Sequence, residues 1–187
     1  CMLFSHPKDF TPVCTTELGA MADVVAEFDA RNCRIIGLSA DPVDDHHVWS
    51  ADIEDVSGHK VTYPVIADGD LSVAKAFGML PASEVANGKR TVAQNATIRS
   101  VFVIDPSRTV RLTMSYPFTC GRNFEEILRA LDSLQLTDGT KVATPANWSA
   151  GDDVLILSSA TDEAAAEMFP QGWRSPKPYM RFTKLAG

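Results

Sequence analysis

The chain has 187 residues, 45% of them hydrophobic, and a formal net charge of −7. That size and apolar content suit one full domain plus an extension and exclude global disorder. The negative balance, without a Lys/Arg cluster, excludes a nucleic-acid surface built on phosphate contacts, and no apolar run approaches the roughly 20 residues that span a bilayer.

In chain order, Cys1-Met2-Leu3-Phe4 reads as a strand. Leu18, Met21, Val25 and Phe28 recur at helical spacing after Cys14. Arg34 to Ser39 is a short buried strand, and Asp44 to Val56 is an amphipathic helix with Trp49, Ile53 and Val56 on one face. Tyr63 to Ala67 is a weaker strand, because Pro64 confines it to an edge or a strand start. Leu71 to Met79 is a short helix bounded by Gly78 and Pro81, and the polar stretch 84–95 is a loop.

Ile98 to Ile104 and Thr109 to Tyr116 flank Asp105-Pro106-Ser107-Arg108, a β-hairpin signal. Phe124, Ile127, Leu128, Leu131 and Leu134 mark a strong helix. The order βαβαβα followed by ββα predicts an α/β fold, a mixed sheet with helices on its faces. Beyond Thr137 the character changes: Pro145, Trp148, Pro170, Pro176 and Pro178 punctuate the chain, and a strand at Val154–Leu157 and a short helix at Asp162–Phe169 fit between them. Residues 1–139 are read as the core domain. Residues 140–187 are read as an extension with too little core of its own to stand alone, which packs on a partner or on the core.

The four cysteines stand at 1, 14, 33 and 120, and none makes a C-x-x-C pair, so no zinc knuckle or dithiol motif is expected. Sparse, unpaired cysteine suits a reducing compartment, and the expected location is cytoplasmic. The chain opens at Cys1, already inside a strand; an N-terminal piece carrying any targeting segment is expected to be missing.

The chemistry concentrates in His6-Pro7-Lys8-Asp9-Phe10-Thr11-Pro12-Val13-Cys14-Thr15-Thr16-Glu17. Cys14 stands where a loop turns into a helix, and unpaired N–H groups with the positive end of the dipole favour the reactive thiolate. On residue chemistry alone Cys14 is either that nucleophile or a small buried side chain, and Thr11 is either a catalytic hydroxyl or an ordinary helix cap. Glu17, one turn on, either holds a cation or complements the dipole. His6 is either a site residue or structural, and His46-His47 reads as helix surface and core, not as metal ligands.

Pro7-x-x-x-Thr11-x-x-Cys14 resembles the active-site signature of the peroxiredoxins. The longer match through Glu17, with Tyr116 to Phe124 and Val142 to Trp148, resembles their 1-Cys branch, the peroxiredoxin-6 type. The resemblance implies a thioredoxin-like fold. It also implies a thiol peroxidase that reduces hydrogen peroxide and organic hydroperoxides through a sulfenic acid on Cys14. It makes Thr11 and Arg122 catalytic, the Arg122 guanidinium reaching Cys14 and the peroxide, with Pro7, His6 and Glu17 in support. It implies no metal, haem or flavin and an external thiol reductant such as glutathione or thioredoxin, since no resolving cysteine follows Cys120. It further implies a homodimer or higher oligomer embraced by the extension. Other readings of the chain are a two-cysteine mechanism through Cys120, a lipid hydrolase, and a non-enzymatic redox sensor or holdase switched by Cys14 oxidation.

Overall fold

Five strands assemble around the first segment of the chain. β1 (Met2–Ser5) lies between β2 (Ile35–Ser39), its parallel neighbour, and β4 (Arg99–Ile104), its antiparallel one. β3 (Val65–Ala67) extends the sheet parallel to β2, and β5 (Val110–Tyr116) closes the other side as a hairpin with β4, giving the order β3-β2-β1-β4-β5. This is the expected mixed sheet, and Pro64 does leave β3 at an edge. The coordinates are a computed structural model that describes residues 1–81 and 96–185. The expected loop at 84–95 lies outside the described residues.

Alternation along the strands sorts their side chains into two layers. Leu3, Leu38 and Phe102 meet Leu71, Ala74 and Met79 on one face, around α4 (Ser72–Ala76). Phe4 points the other way, toward Tyr63, whose hydroxyl donates to the Leu18 carbonyl at 3.1 Å. On that side run α1 (Pro12–Asp23), α2 (Val25–Ala30) and α3 (Val43–Ser57). The helix expected through Phe28 is thus two helices, parted at Val24, whose N–H turns back to the Met21 carbonyl at 3.2 Å. The α3 face expected to bury Trp49, Ile53 and Val56 buries only the first two; Val56 is 67% exposed.

The chain divides into two compact units, Cys1–Phe124 and Glu125–Gly187. The division falls before the expected boundary at 139/140. Most of α5 (Phe124–Gly139) belongs with the extension: Arg129 donates to the Trp148 carbonyl at 3.0 Å, Ser133 bonds Thr144 at 2.6 Å, and Leu136 packs on the cluster of Val142, Trp148, Val154, Ile156, Ala165 and Phe169. That second unit is better ordered than its prolines suggested. β6 (Val142–Ala143), β7 (Val154–Ile156), β8 (Arg174–Lys177) and β9 (Met180–Thr183) form a sheet in the order β6-β7-β9-β8, with α6 (Asp162–Met168) capped by Thr161. Pro176 falls in β8, an edge strand, where its missing N–H breaks no ladder. Among the described residues no helix is long and apolar enough to cross a membrane.

Candidate active site

Thr11 is the N-cap of α1 and Pro12 its first residue, so Cys14 lies in the first turn, whose amides have no intrahelical acceptor. Cys14 is fully buried. Nη1 of Arg99, the first residue of β4, lies 3.4 Å from its Sγ. The same Nη1 donates to Oε2 of Glu17 at 2.5 Å, while Nε and Nη2 of Arg99 donate to the Phe118 carbonyl at 3.0 and 2.8 Å.

Arg122, expected at the thiol, is anchored one step back. Its Nε and Nη2 donate to Oε1 and Oε2 of Glu17 at 2.9 and 2.8 Å, and its Nη1 donates to the carbonyls of Ser5 at 2.8 Å and Ser100 at 3.1 Å. Its guanidinium lies over the Phe4 ring, 5.0 Å from the centroid. Among the described residues the cation at Cys14 is therefore Arg99, and Arg122 braces the carboxylate that holds it. Glu17, 3% exposed, joins two buried guanidinium groups, which leaves the cluster one positive charge in excess beside Cys14. A charge on Sγ meets that excess in a low-dielectric setting.

Thr11 does not act as a side-chain cap. Its hydroxyl donates to the Lys8 carbonyl at 2.8 Å, not toward the thiolate, and among the described residues its oxygen lone pairs stay open as acceptors. Pro7 is half-buried at the start of this turn, and Phe10 closes it in the left-handed region at φ 54°. A groove of about 550 Å³ runs over the start of α1, lined by Phe10, Thr11, Pro12, Trp49 and Asp52 among others.

His6 is fully buried and donates through Nε2 to Oδ1 of Asp9 at 2.7 Å; Oδ2 of Asp9 accepts from Nδ1 of His46 at 2.5 Å. Burial lowers the His6 pKa and outweighs the Asp9 carboxylate. Burial would raise that of Asp9, but the bonds from His46 and His6 overcome it and hold the carboxyl at about 2. Burial also disfavours the His46 cation, yet its bond to Asp9 raises its pKa above the ordinary value. His46 is thus no mere surface or core residue. His6, Asp9 and Asp41 lie close enough for a cation, with ligand atoms within 4.8 Å of one another, but Asp9 and the two imidazole N–H groups already satisfy each other, so this is read as a hydrogen-bond network and not as a metal centre.

Cys1, Cys14, Cys33 and Cys120 are all free thiols. Burial pushes the Cys33 thiol up and disfavours its thiolate, whereas Cys120 is exposed and contacts the Gly121 carbonyl through sulfur at 3.7 Å.

Sequence reasoning missed Arg99, Asp9 and the role of His46. The signal for Arg99 is a cation sharing a strand face with Val101 and Val103, where an unpaired charge is almost never buried.

The family model described as the AhpC/TSA family matches residues 1–113, and that for the C-terminal domain of 1-Cys peroxiredoxin matches residues 133–172. A 1-Cys peroxiredoxin of Dictyostelium discoideum is 48% identical over 97% of this chain and 72% of its own length, and peroxiredoxin-6 of Gallus gallus is 46% identical over 97% and 84%. Among solved structures, a mutant of peroxiredoxin 6 of Arenicola marina superposes with a TM-score of 0.88 at 43% identity, covering 99% of this chain and 85% of that one. A yeast mitochondrial 1-Cys peroxiredoxin, described with a thiol resolving mechanism via glutathione/thioredoxin systems, gives 0.89 at 45% identity, covering 98% and 85%.

Proposed function

The chain belongs to the peroxiredoxins, in their 1-Cys branch, and on that premise we propose that Cys14 is its peroxidatic thiol, with Thr11 and Arg99 meeting the peroxide and Glu17, Arg122, His6 and Pro7 holding them in place. The protein is a thiol peroxidase with the thioredoxin-like fold of its relatives, reducing hydrogen peroxide and organic hydroperoxides with electrons from an external thiol. The observation that carries the site assignment is the 3.4 Å approach of Arg99 to a buried sulfur at a helix start.

In the first step the Cys14 thiolate attacks the terminal peroxide oxygen. The S–O bond forms as the O–O bond breaks, sulfur is oxidised to a sulfenic acid, and the departing alkoxide or hydroxide takes a proton to leave as alcohol or water. Negative charge grows on the leaving oxygen, so a fixed guanidinium is worth more in the transition state than before it. Thr11, its hydrogen engaged by Lys8, accepts from the peroxide O–H and aligns it. In the second step an external thiol attacks the sulfenic sulfur, water leaves, and a second thiol releases Cys14 from the mixed disulfide. The atoms balance without a metal, haem or flavin, so none is assigned.

We extend the reading to glutathione or thioredoxin as reductant, supported by the description of the yeast relative. We extend it also to a reducing compartment such as the cytoplasm, supported by four free thiols. The last extension is to a homodimer or higher oligomer with the Glu125–Gly187 unit as the arm, supported by the exposed Leu157, Met168 and Tyr179 on that unit. Steady-state peroxide consumption with dithiothreitol, glutathione or thioredoxin tests the enzyme and its donor together. Oxidation of Cys14 without turnover in any of them would return the protein to the sensor class.

A further inference from the structure

We propose that His46, on α3, is a positioning residue for the thiol reaction: through the single carboxylate of Asp9 it fixes the ring of His6 and the seat of the loop that carries Thr11. The inference rests on the peroxidase reading above and deepens it.

Asp9 is 2% exposed, and both its oxygens carry an imidazole N–H, His6 on Oδ1 and His46 on Oδ2. Its backbone N–H donates to Oδ2 of Asp41 at 3.0 Å, and Ser39 Oγ donates to the same oxygen at 2.8 Å. The turn between His6 and Thr11 is thus tied to the end of β2 by its backbone and to α3 by its carboxylate. Asp9 also sets the His6 tautomer. With Nε2–H given to Asp9, the neutral ring keeps its lone pair on Nδ1, which is buried and has no hydrogen-bond partner among the described residues. The His6 ring lies 5.3 Å from that of Trp49, whose Nε1 donates to the hydroxyl of Thr15, the neighbour of Cys14.

A buried carboxylate shared by two imidazoles needs one compensating charge. His6 faces Asp9 and Asp41 but also Arg122, and it is fully buried, so it is the poorer home for a proton. His46 faces Asp9, Asp41 and the backbone of Ile66 on β3, with the His6 ring 6.3 Å away and Asp44, Asp45 and His47 beside it on α3. Of the two imidazoles, His46 is the one whose surroundings favour the cation, its bond to Asp9 overcoming burial, although its Nε2 is buried and has no hydrogen-bond partner among the described residues. Without His46, Asp9 draws the proton to Nδ1 of His6 or takes it up itself. Either change alters the site: the first converts an acceptor beside Arg122 into a cation, and the second loosens the loop.

The sign of the pH effect follows. His46 is raised, so its charged form is complete at lower pH and is lost as pH climbs through its folded value, above 6.5. The peroxide rate should then fall on the alkaline side, apart from the rise that thiolate formation brings on the acid side.

The test is the second-order rate constant for oxidation of the full chain by hydrogen peroxide, measured between about pH 5.5 and 9.5, beside His46→Asn and His46→Leu. Asparagine keeps a donor for Asp9 without the charge. Its rate near neutrality should be about tenfold lower, the cost of one charge-assisted orienting bond, and its alkaline limb should vanish. A His46→Asn profile that superposes in shape on the unsubstituted one overturns the proposal. Independently of any variant, imidazole ¹⁵N spectra of the unsubstituted protein should show His6 neutral as the Nε2–H tautomer and His46 titrating above His6. The reverse assignment also overturns it. Absence of peroxide consumption at every pH would instead defeat the peroxidase reading, and the ¹⁵N assignment would still decide which imidazole holds the proton.

Discussion

Glu17 Oε2 accepts from Arg99 at 2.5 Å through the same Nη1 that lies 3.4 Å from Cys14 Sγ. One nitrogen is thus aimed by a carboxylate and offered to a sulfur, and the carboxylate is itself fixed by Arg122. The two arginines share a partner but not a task, and substitution should separate them.

Arg99→Met should lower the second-order rate constant with peroxide by about 10²–10³-fold, the usual loss on removing a donor aimed at developing charge. Arg122→Met should slow the reaction too, but its larger mark is on folding. The Arg122 side chain is fully buried and ties Ser5, Ser100 and Glu17 together, so its loss should cost about 3 kcal/mol. Stopped-flow oxidation and urea unfolding, run on both variants, read the two effects. A fast Arg99→Met would remove Arg99 from the peroxide.

Cys14→Ser should abolish turnover while the fold persists, because serine nearly matches the thiol in volume but is not ionised near neutrality. Cys120→Ser and Cys33→Ser should keep turnover with small thiols. One equivalent of peroxide should leave a dimedone-reactive sulfenic acid on Cys14, and excess peroxide should drive it to sulfinic and sulfonic acids. Mass spectrometry after stoichiometric oxidation checks this; a quantitative Cys14–Cys120 disulfide would install the two-cysteine mechanism instead.

The chain order of strands and helices was legible because period-2 and period-3.6 patterns survive wherever one face is buried, as in α3 with Trp49 and Ile53. Cys14 stood out as a candidate because Thr11, Pro12 and Cys14 lie together at a helix start, but residue chemistry left it either a nucleophile or a buried side chain, and the resemblance made the choice. Arg99 was not, since its partner Glu17 is far off in sequence and only the pairing of β1 with β4 brings that strand beside the loop before α1. Arg122 was visible through the Gly121-Arg122-Asn123 pattern, but a pattern carries no distance, and the guanidinium stops at Glu17. Asp9 drew no reading, because its second histidine, His46, lies on α3, far away in sequence. The second sheet was missed because β6 has two residues and β8 contains a proline.

Gly19 marks where α1 meets α3. A Cβ added there would stand 2.5 Å from Ser57 Cβ and 2.9 Å from its hydroxyl oxygen. Alanine gains about 1 kcal/mol of helix propensity over glycine, but forcing two backbone-bound atoms apart costs about 1–3 kcal/mol, so the net effect should be destabilising. Thermal unfolding of Gly19→Ala should show a lowered Tm, and adding Ser57→Gly should restore part of it, as expected for residues in contact. Additive losses in the double variant would show that the contact is not the cause.

Acid should unfold this protein partly through Asp9. Its carboxyl is held at about 2 against a value of 3.8 outside the fold. The folded value is depressed, so the stabilisation is complete above 3.8 and is lost as pH falls through about 2. A gap of just under two units amounts to about 2 kcal/mol. His6 pulls the same way, because its lowered pKa lets the unfolded chain bind a proton first as pH drops below 6.5. His46 opposes both: its raised value adds stability at low pH that disappears as pH rises through it. Asp9→Asn should therefore be less stable at neutral pH, while its stability should fall less steeply between about pH 4 and 2 than that of the unsubstituted chain. Urea unfolding at a series of pH values measures both slopes, and parallel acid arms would show that Asp9 keeps an ordinary carboxyl in the fold.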